Sequence, residues 1–265
     1  MTHREGLMST IDLNCDLGEG FGAWTMGDDE SLMSIVTSAN IACGFHAGDP
    51  SIMRRLCDVA VENGVAIGAH VGYRDLVGFG RRRIEVSESD LANDIIYQIG
   101  ALDGFARMAG TPVTYVKPHG ALYHPIAVEP VYARALAEAV LRYNPTLRVV
   151  GLAGSSGLRD VHDAGVATVA EAFADRAYTA DGHLVARGTT GSVLHDIDAI
   201  AARCSELARS GEVESIDGTK VHISAQTICV HGDTPGALAI AHQVRETLLA
   251  DGITLKAFAG ARGAA

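Results

Sequence analysis

No segment of this 265-residue chain approaches the ~18 uninterrupted apolar residues that a membrane-spanning helix needs. Its opening, MTHREGLMST, carries no apolar run of signal-peptide length, so a soluble, cytoplasmic protein is expected. Cysteine is sparse: Cys15, Cys43, Cys57, Cys204 and Cys229 make an odd five with no CxxC pair. That argues against a disulfide framework or a zinc knuckle. Positive charge is outnumbered, with 21 Lys plus Arg against 32 Asp plus Glu and a formal net charge of −11. Nucleic acid and anionic membranes are therefore not expected as general partners. A small anionic substrate stays open, because it needs only a local positive site. No GxxxxGK[ST] occurs, so a Walker-type nucleotide loop is absent, and no HExxH motif fixes a metal. The stretch 18-GEGFG-22 lacks the spacing of a dinucleotide fingerprint, and 154-GSSG-157 has the wrong spacing for a serine elbow. The latter reads as a βα turn capping the next helix.

What is present is an alternation of strands and helices. Hydrophobic residues make up 48% and charged residues 20%, enough for a sizeable core. Nearly continuous apolar runs at 10–17, 35–43, 65–71, 113–119, 147–153, 166–173 and 223–231 suit parallel strands buried on both faces. Between them, 88–109 is the clearest helix: Leu91, Ile95, Ile99, Leu102 and Phe105 recur at steps of three or four. Ser87 is its N-cap, and Gly110 with Pro112 ends it. Further helices are expected near 50–63, 130–143, 155–164, 190–209 and 235–250, with 178–188 as a small hairpin or loop. The order implies an α/β fold: a closed or nearly closed, mostly parallel (β/α) TIM-like barrel, with a doubly wound open sheet as the alternative. No composition break calls for a second domain. One barrel domain over 1–265 is expected, with 1–9 as a flexible extension.

Polar clusters sit at the C-terminal ends of these strands: Asn14, Asp16 and Glu19; His46 and Asp49; His70; Lys117 and His119; Glu171, Asp175 and Arg176; His231 and Asp233. In a parallel barrel those ends converge on one rim, where active sites form. His3, His124, His162, His183, His195, His222 and His242 have no such setting and read as surface or helix residues. Imidazole and carboxylate from separate strands suit zinc or a similar divalent ion, with Asp16, His70 and His119 as the triad and His46 as the alternate. The same groups serve a metal-free site that binds substrate or moves protons. Lys117 suits a carboxylate or phosphate, or acts with a shifted pKa, or makes a rim salt bridge with Asp16 or Glu171. Arg81–Arg83 is a solvated loop or an anion clamp. Arg176 touches ligand or pairs internally with Asp175 or Glu171.

The motifs 11-IDLNCDLGEGFGAW-24, 38-SANIACGFHAGDP-50, 62-ENGVAIGAH-70, 78-GFGRR-82, 97-YQIGAL-102, 117-KPHGALY-123, 151-GLAGS-155, 171-EAFADRAY-178 and 225-AQTICVHGD-233, in that order, resemble the LamB/YcsF family over nearly the whole chain. Two positions depart from its pattern: Val71 and Arg74 stand where members commonly carry proline. The resemblance implies an irregular β/α barrel of the glycoside hydrolase/deacetylase type. It implies ATP-dependent opening of 5-oxo-L-proline to L-glutamate, with ATP as co-substrate, in a complex with two further 5-oxoprolinase subunits, B and C. A homo-oligomer is left open. It carries over Asp16, Glu19, His46, Asp49, His70, Lys117, His119, Glu171, Asp175, Arg176, His231 and Asp233, without their individual roles. Opening a lactam through a phosphorylated carbonyl needs a base for water, such as Asp16 or His119, and cations for the oxyanion and phosphate, such as Lys117, Arg82 or Arg176. Competing readings are a metal-dependent deacetylase or amidase on the same barrel, and a lactam- or carbohydrate-binding accessory protein.

Overall fold

A computed structural model describes residues 10–232 and 236–260. The expected extension at 1–9, and Asp233, lie outside the described residues.

Each apolar run becomes a strand, trimmed at its ends. The elements, in order, are β1 (Thr10–Leu17), α1 (Asp29–Met33), β2 (Ser38–Ala42), α2 (Pro50–Asn63), β3 (Ala66–Val71), α3 (Glu88–Met108), β4 (Tyr115–Pro118), α4 (Gly120–Val128), α5 (Pro130–Tyr143), β5 (Arg148–Leu152), α6 (Ser156–Asp163), β6 (Ala167–Phe173), α7 (Ile197–Ser210), β7 (Glu212–Glu214), β8 (Lys220–His222), β9 (Thr227–Val230), α8 (Ala237–Ala250) and β10 (Thr254–Leu255). Strands β1, β2, β3, β4, β5, β6 and β9 pair in parallel, and β9 returns to β1, closing a barrel. Closure decides against the open doubly wound sheet. β10 extends β1 at its start, and β7 with β8 forms a separate antiparallel pair.

The strands are apolar outward, where the helices pack, but several residues that fill the barrel are polar. Asp12 accepts from Ser38 Oγ at 2.6 Å and from the Thr227 hydroxyl. The Tyr115 hydroxyl donates to Asn40 Oδ1 at 2.7 Å. Gly68 lies beside that ring, and a Cβ there would sit 2.0 Å from Tyr115 Cε2. Glycine at this strand position therefore makes room for a tyrosine.

Capping follows the sequence signals. Ser87 accepts from Asp90 N at 3.1 Å, and Ser155 accepts from Leu158 N at 3.2 Å. One expectation needs correcting, and one helix has no counterpart among those expected. The helix placed at 190–209 begins at Ile197, capped by Asp196. The residues after Lys117-Pro118-His119 continue into α4, despite Pro125 within it. Val71 ends β3 opposite Pro118, and Arg74 bonds Asp94 through Nε at 3.0 Å, so neither departure disturbs the barrel register. Among the described residues, no helix is long and apolar enough to cross a membrane.

Candidate active site

The C-terminal ends of the barrel strands frame a cavity of about 650 Å³. Its lining mixes apolar side chains, among them Ala127, Val128, Leu152, Phe173, Leu184 and Val185, with polar ones, Asp16, Glu19, His70, Lys117, His119 and His231. Residues 183–187 also line the cavity. Their segment is held by Arg176, whose guanidinium donates to the Val185 carbonyl at 2.6 Å and the Ser192 carbonyl at 3.2 Å.

The floor is a buried ion cluster. Lys117, 1% exposed, places Nζ 2.8 Å from both Asp16 Oδ1 and Glu171 Oε1, and 3.1 Å from Cys229 Sγ. Parallel register brings it there, since Lys117 lies beside His70 and Asp16 beside Asn40. Burial alone would lower the Lys117 pKa, but Asp16, Cys229 and Glu171 outweigh it and hold the amine well above its ordinary range. Burial would raise the Asp16 carboxyl, but His70 and Lys117 outweigh it and hold that group well below the usual carboxylate range. Lys117 is therefore a fixed cation, and its bridge is buried beneath the rim. Asp16, ionised and already paired, is a weak base. The Cys229 thiol is pushed well up by burial and stays protonated.

Asn14 and Glu171 lie below the cavity. Asn14 donates to Glu171 Oε1 at 3.1 Å and to Thr227 Oγ1 at 2.7 Å, while Glu171 Oε2 accepts from the Tyr123 hydroxyl at 2.8 Å. These contacts position Lys117 and leave neither residue facing a ligand.

A second pair adjoins the ion cluster, with an atom of His231 within 4.8 Å of Asp16 and Cys229. His231 Nδ1 is 2.8 Å from Asp175 Oδ1, and its Nε2 is 3.4 Å from Arg187 Nη2. A carboxylate accepts and a guanidinium donates, so Nδ1 carries the hydrogen and Nε2 presents a lone pair. Burial would lower the His231 pKa. The hydrogen bond and charge of Asp175 outweigh it and raise the pKa above the ordinary imidazole range. This is the arrangement of an oriented general base.

The third group is Glu19, His46, His70 and His119, gathered from four loops and strand ends. His46 and His119 stack with ring centroids 3.7 Å apart, and His70 meets both edge-on. The metal triad expected from sequence is rearranged. His70 and His119 adjoin, but Asp16 Oδ1 is taken by Lys117 and Asn40, leaving Oδ2 3.4 Å from His70 Nε2. Glu19 and His46 each offer an atom within 4.8 Å of the two histidines.

Two expected site residues turn elsewhere. Asp49 caps α2, accepting from Ser51 N at 2.8 Å and Ile52 N at 3.0 Å, and also from Gly22 N at 2.8 Å. It does not pair with His46. Arg82 is turned onto Asp75, with Nε 3.0 Å from Oδ2, and Arg81 lines the cavity instead. Asp49→Ala is expected to cost about 1–2 kcal/mol of stability through the lost cap while leaving kcat within about twofold. Denaturant unfolding beside steady-state rates checks this. A collapse of kcat with stability intact returns Asp49 to the site.

Sequence reading passed over Tyr123, Phe173 and Arg187 and set His124 and His183 aside, yet all five line the cavity. His124 and Tyr123 ride on the unanticipated α4, and Arg187 arrives from a loop with no periodic signal. Only the motifs 117-KPHGALY-123, which contains Tyr123, and 171-EAFADRAY-178, which contains Phe173, pointed toward any of them.

The chain belongs to the LamB/YcsF family, whose profile matches residues 11–263. It is 55% identical over 251 residues to the A subunit of a 5-oxoprolinase from Mycolicibacterium gilvum, covering 95% of this chain and 100% of that protein. It is 56% identical over 249 residues to the 5-oxoprolinase A subunit of Streptomyces coelicolor, covering 94% of this chain and 100% of that one. Among solved structures, the lactam utilization protein from Thermus thermophilus superposes with a TM-score of 0.91 at 42% identity, covering 94% of this chain and 100% of that chain.

Proposed function

We propose that this chain is the A subunit of a 5-oxoprolinase and that its rim cavity binds 5-oxo-L-proline and opens it to L-glutamate. The observation that carries the reading is the mixed lining of the cavity. Its apolar side chains suit the methylenes of a five-membered ring, and its polar side chains suit an amide carbonyl and an attacking water. The names of the full-length relatives support the same substrate.

A lactam carbonyl is a poor electrophile, which is the chemical reason for ATP as co-substrate. Transfer of the γ-phosphoryl group to the carbonyl oxygen releases ADP and activates the ring carbon. Water adds there as His231 Nε2 takes its proton. The carbon–nitrogen bond breaks as nitrogen is protonated, and a second water releases phosphate from the acyl phosphate. Arg81, Arg176 and Arg187 lie nearest for the substrate carboxylate and the phosphoryl oxygens. Lys117 and Asp16 fix the charge of the floor, with Lys117 nearest for the developing oxyanion. The base role falls to His231 because Asp16 and Lys117 are each locked in an ion pair. The B and C subunits complete the enzyme, in the cytoplasm where ATP is found.

Mixing the chain with both partner subunits is expected to give phosphate release that depends on 5-oxoproline. No such release from the three-chain mixture overturns the activity. Undiminished turnover in a His119→Ala, Asp16→Ala double variant overturns the site.

A further inference from the structure

Glu19, His46, His70 and His119 each offer one ligand atom, and the four atoms lie within 4.8 Å of one another. All four side chains are buried. Their outer contacts fix which atoms face inward. His70 Nδ1 is 3.2 Å from the Lys117 carbonyl, and His119 Nε2 is 2.8 Å from the Phe79 carbonyl. A carbonyl only accepts, so those two nitrogens carry the ring hydrogens. In neutral imidazoles, His70 Nε2 and His119 Nδ1 are then bare lone pairs, and they face each other at 3.0 Å.

A third acceptor is aimed at the same point. Glu19 Oε1 lies 3.2 Å from His119 Nδ1, 3.8 Å from His70 Nε2 and 3.8 Å from His46 Nε2. Among the described residues it accepts no hydrogen bond, and neither nitrogen of the fully buried His46 has a hydrogen-bond partner. Acceptors converging without a donor repel one another unless a positive charge sits among them.

We infer that Glu19, His46, His70 and His119 form a binding site for one divalent transition-metal ion of the zinc class. The spacing fits. Ligands at 2.0–2.2 Å from a tetrahedral ion stand about 3.3–3.6 Å apart. Three of the separations, at 3.0, 3.2 and 3.8 Å, bracket that edge, and all four donor atoms lie within 4.8 Å of one another, so it is His46, stacked on His119, that has to turn to bring its nitrogen onto the ion. The donor set of three imidazoles and one carboxylate suits zinc, cobalt or nickel over magnesium or calcium. The carbonyls behind His70 and His119 are the outer partners that orient metal-bound imidazoles.

The surroundings are shaped to hold His46 in place. A Cβ on Gly72 would sit 2.6 Å from His46 Nδ1, and one on Gly80 would sit 2.7 Å from His46 Cβ and 2.8 Å from His119 Cδ2. Glu19, His70 and His119 also line the cavity, so the ion would lie in its wall, within reach of a substrate oxygen. The inference does not depend on the lactam reading, and its test involves no turnover.

The alternative occupant is a proton shared between His70 and His119, and metal binding to the isolated chain decides between them. Protein purified without a polyhistidine tag or chelator is analysed for metal, stripped, and titrated with Zn²⁺ and with Co²⁺. One ion per chain is expected, with Co²⁺ giving the visible absorption of a nitrogen- and oxygen-ligated tetrahedral site. Glu19→Gln, which keeps the side-chain shape, and His46→Ala are each expected to weaken binding by about 100-fold or more. The exposed His242→Ala is expected to leave it unchanged. Circular dichroism confirms that each variant is folded. No binding at micromolar Zn²⁺ and Co²⁺, or binding unaltered by both Glu19→Gln and His46→Ala, overturns the site. Stoichiometric metal without 5-oxoproline turnover in the assembled complex would leave the site standing and remove the proposed activity.

Discussion

Lys117→Met is expected to destabilise the protein by about 3–5 kcal/mol, the cost of removing one partner from a buried ion cluster. The reason lies in what is left behind. Asp16 and Glu171 would remain in the barrel with no cation between them, and Glu171 is fully buried. Their remaining hydrogen-bond donors are Asn40 for Asp16 and Asn14 and Tyr123 for Glu171, with His70 Nε2 3.4 Å from Asp16 Oδ2. Against a total stability of about 5–15 kcal/mol, such a loss is large. Lys117→Arg is expected to recover little, because Nζ is already within 3.1 Å of Cys229 Sγ and a planar guanidinium needs more room. Adding Asp16→Asn to Lys117→Met is expected to restore about 1–2 kcal/mol, since one of the two orphaned charges disappears. Chemical denaturation of the three variants measures this. A cost below about 1 kcal/mol for Lys117→Met would mean that the carboxylates find solvent or another cation, and the buried cluster would have to be abandoned.

The same cluster explains what could be read from the sequence and what could not. Strands β1–β6 and β9 were legible because strands buried on both faces are written as apolar runs. The rim followed, because a parallel arrangement puts all their C-terminal ends on one side. Roles were harder. Asp49 and His46 are neighbours in one motif, yet Asp49 turns back onto the amides of α2 while His46 turns inward. A helix start two residues after a glycine competes for that carboxylate, and Asp is a favoured N-cap. Arg82 and Arg81 differ by one position, and only the hydrogen bonds of Asp75 decide which of them faces the cavity. Asp16 and Glu19 are three apart, yet Asp16, paired with Asn40 of β2, meets Lys117, while Glu19, past the end of β1, meets His119. These are choices between adjacent residues of like chemistry. The first two are settled within a few residues by competing hydrogen bonds, and only the third depends on packing between segments about a hundred residues apart.

Asp175→Asn is expected to lower kcat by about 10³-fold with a much smaller change in KM. Asp175 Oδ1, 2.8 Å from His231 Nδ1, holds the hydrogen there and leaves Nε2 free to take a proton from water. An asparagine can turn its amide nitrogen to Nδ1 and favour the other tautomer, which has no lone pair toward the cavity. In a comparable His–carboxylate pair, that exchange costs about 10⁴ in kcat while the geometry stays intact. Arg187 Nη2, 3.4 Å from Nε2, already favours the lone pair, so the loss here is expected to be somewhat smaller. The pH profile separates this role from a structural one. Asp175 raises the His231 pKa, so in the native enzyme the rate climbs with pH through a value above the ordinary 6.5. Without that carboxylate, the acid limb should move to lower pH while the plateau falls. Stability should follow the same linkage with opposite sign. The gain from the protonated dyad is fully present below the unfolded imidazole pKa of about 6.5 and is lost as pH rises through the raised folded value. In Asp175→Asn that decline should disappear. Rates from pH 5 to 9 on the assembled enzyme, beside denaturation of the chain alone across the same range, read both effects. A rate profile whose acid limb stays put in Asp175→Asn would remove His231 as the base.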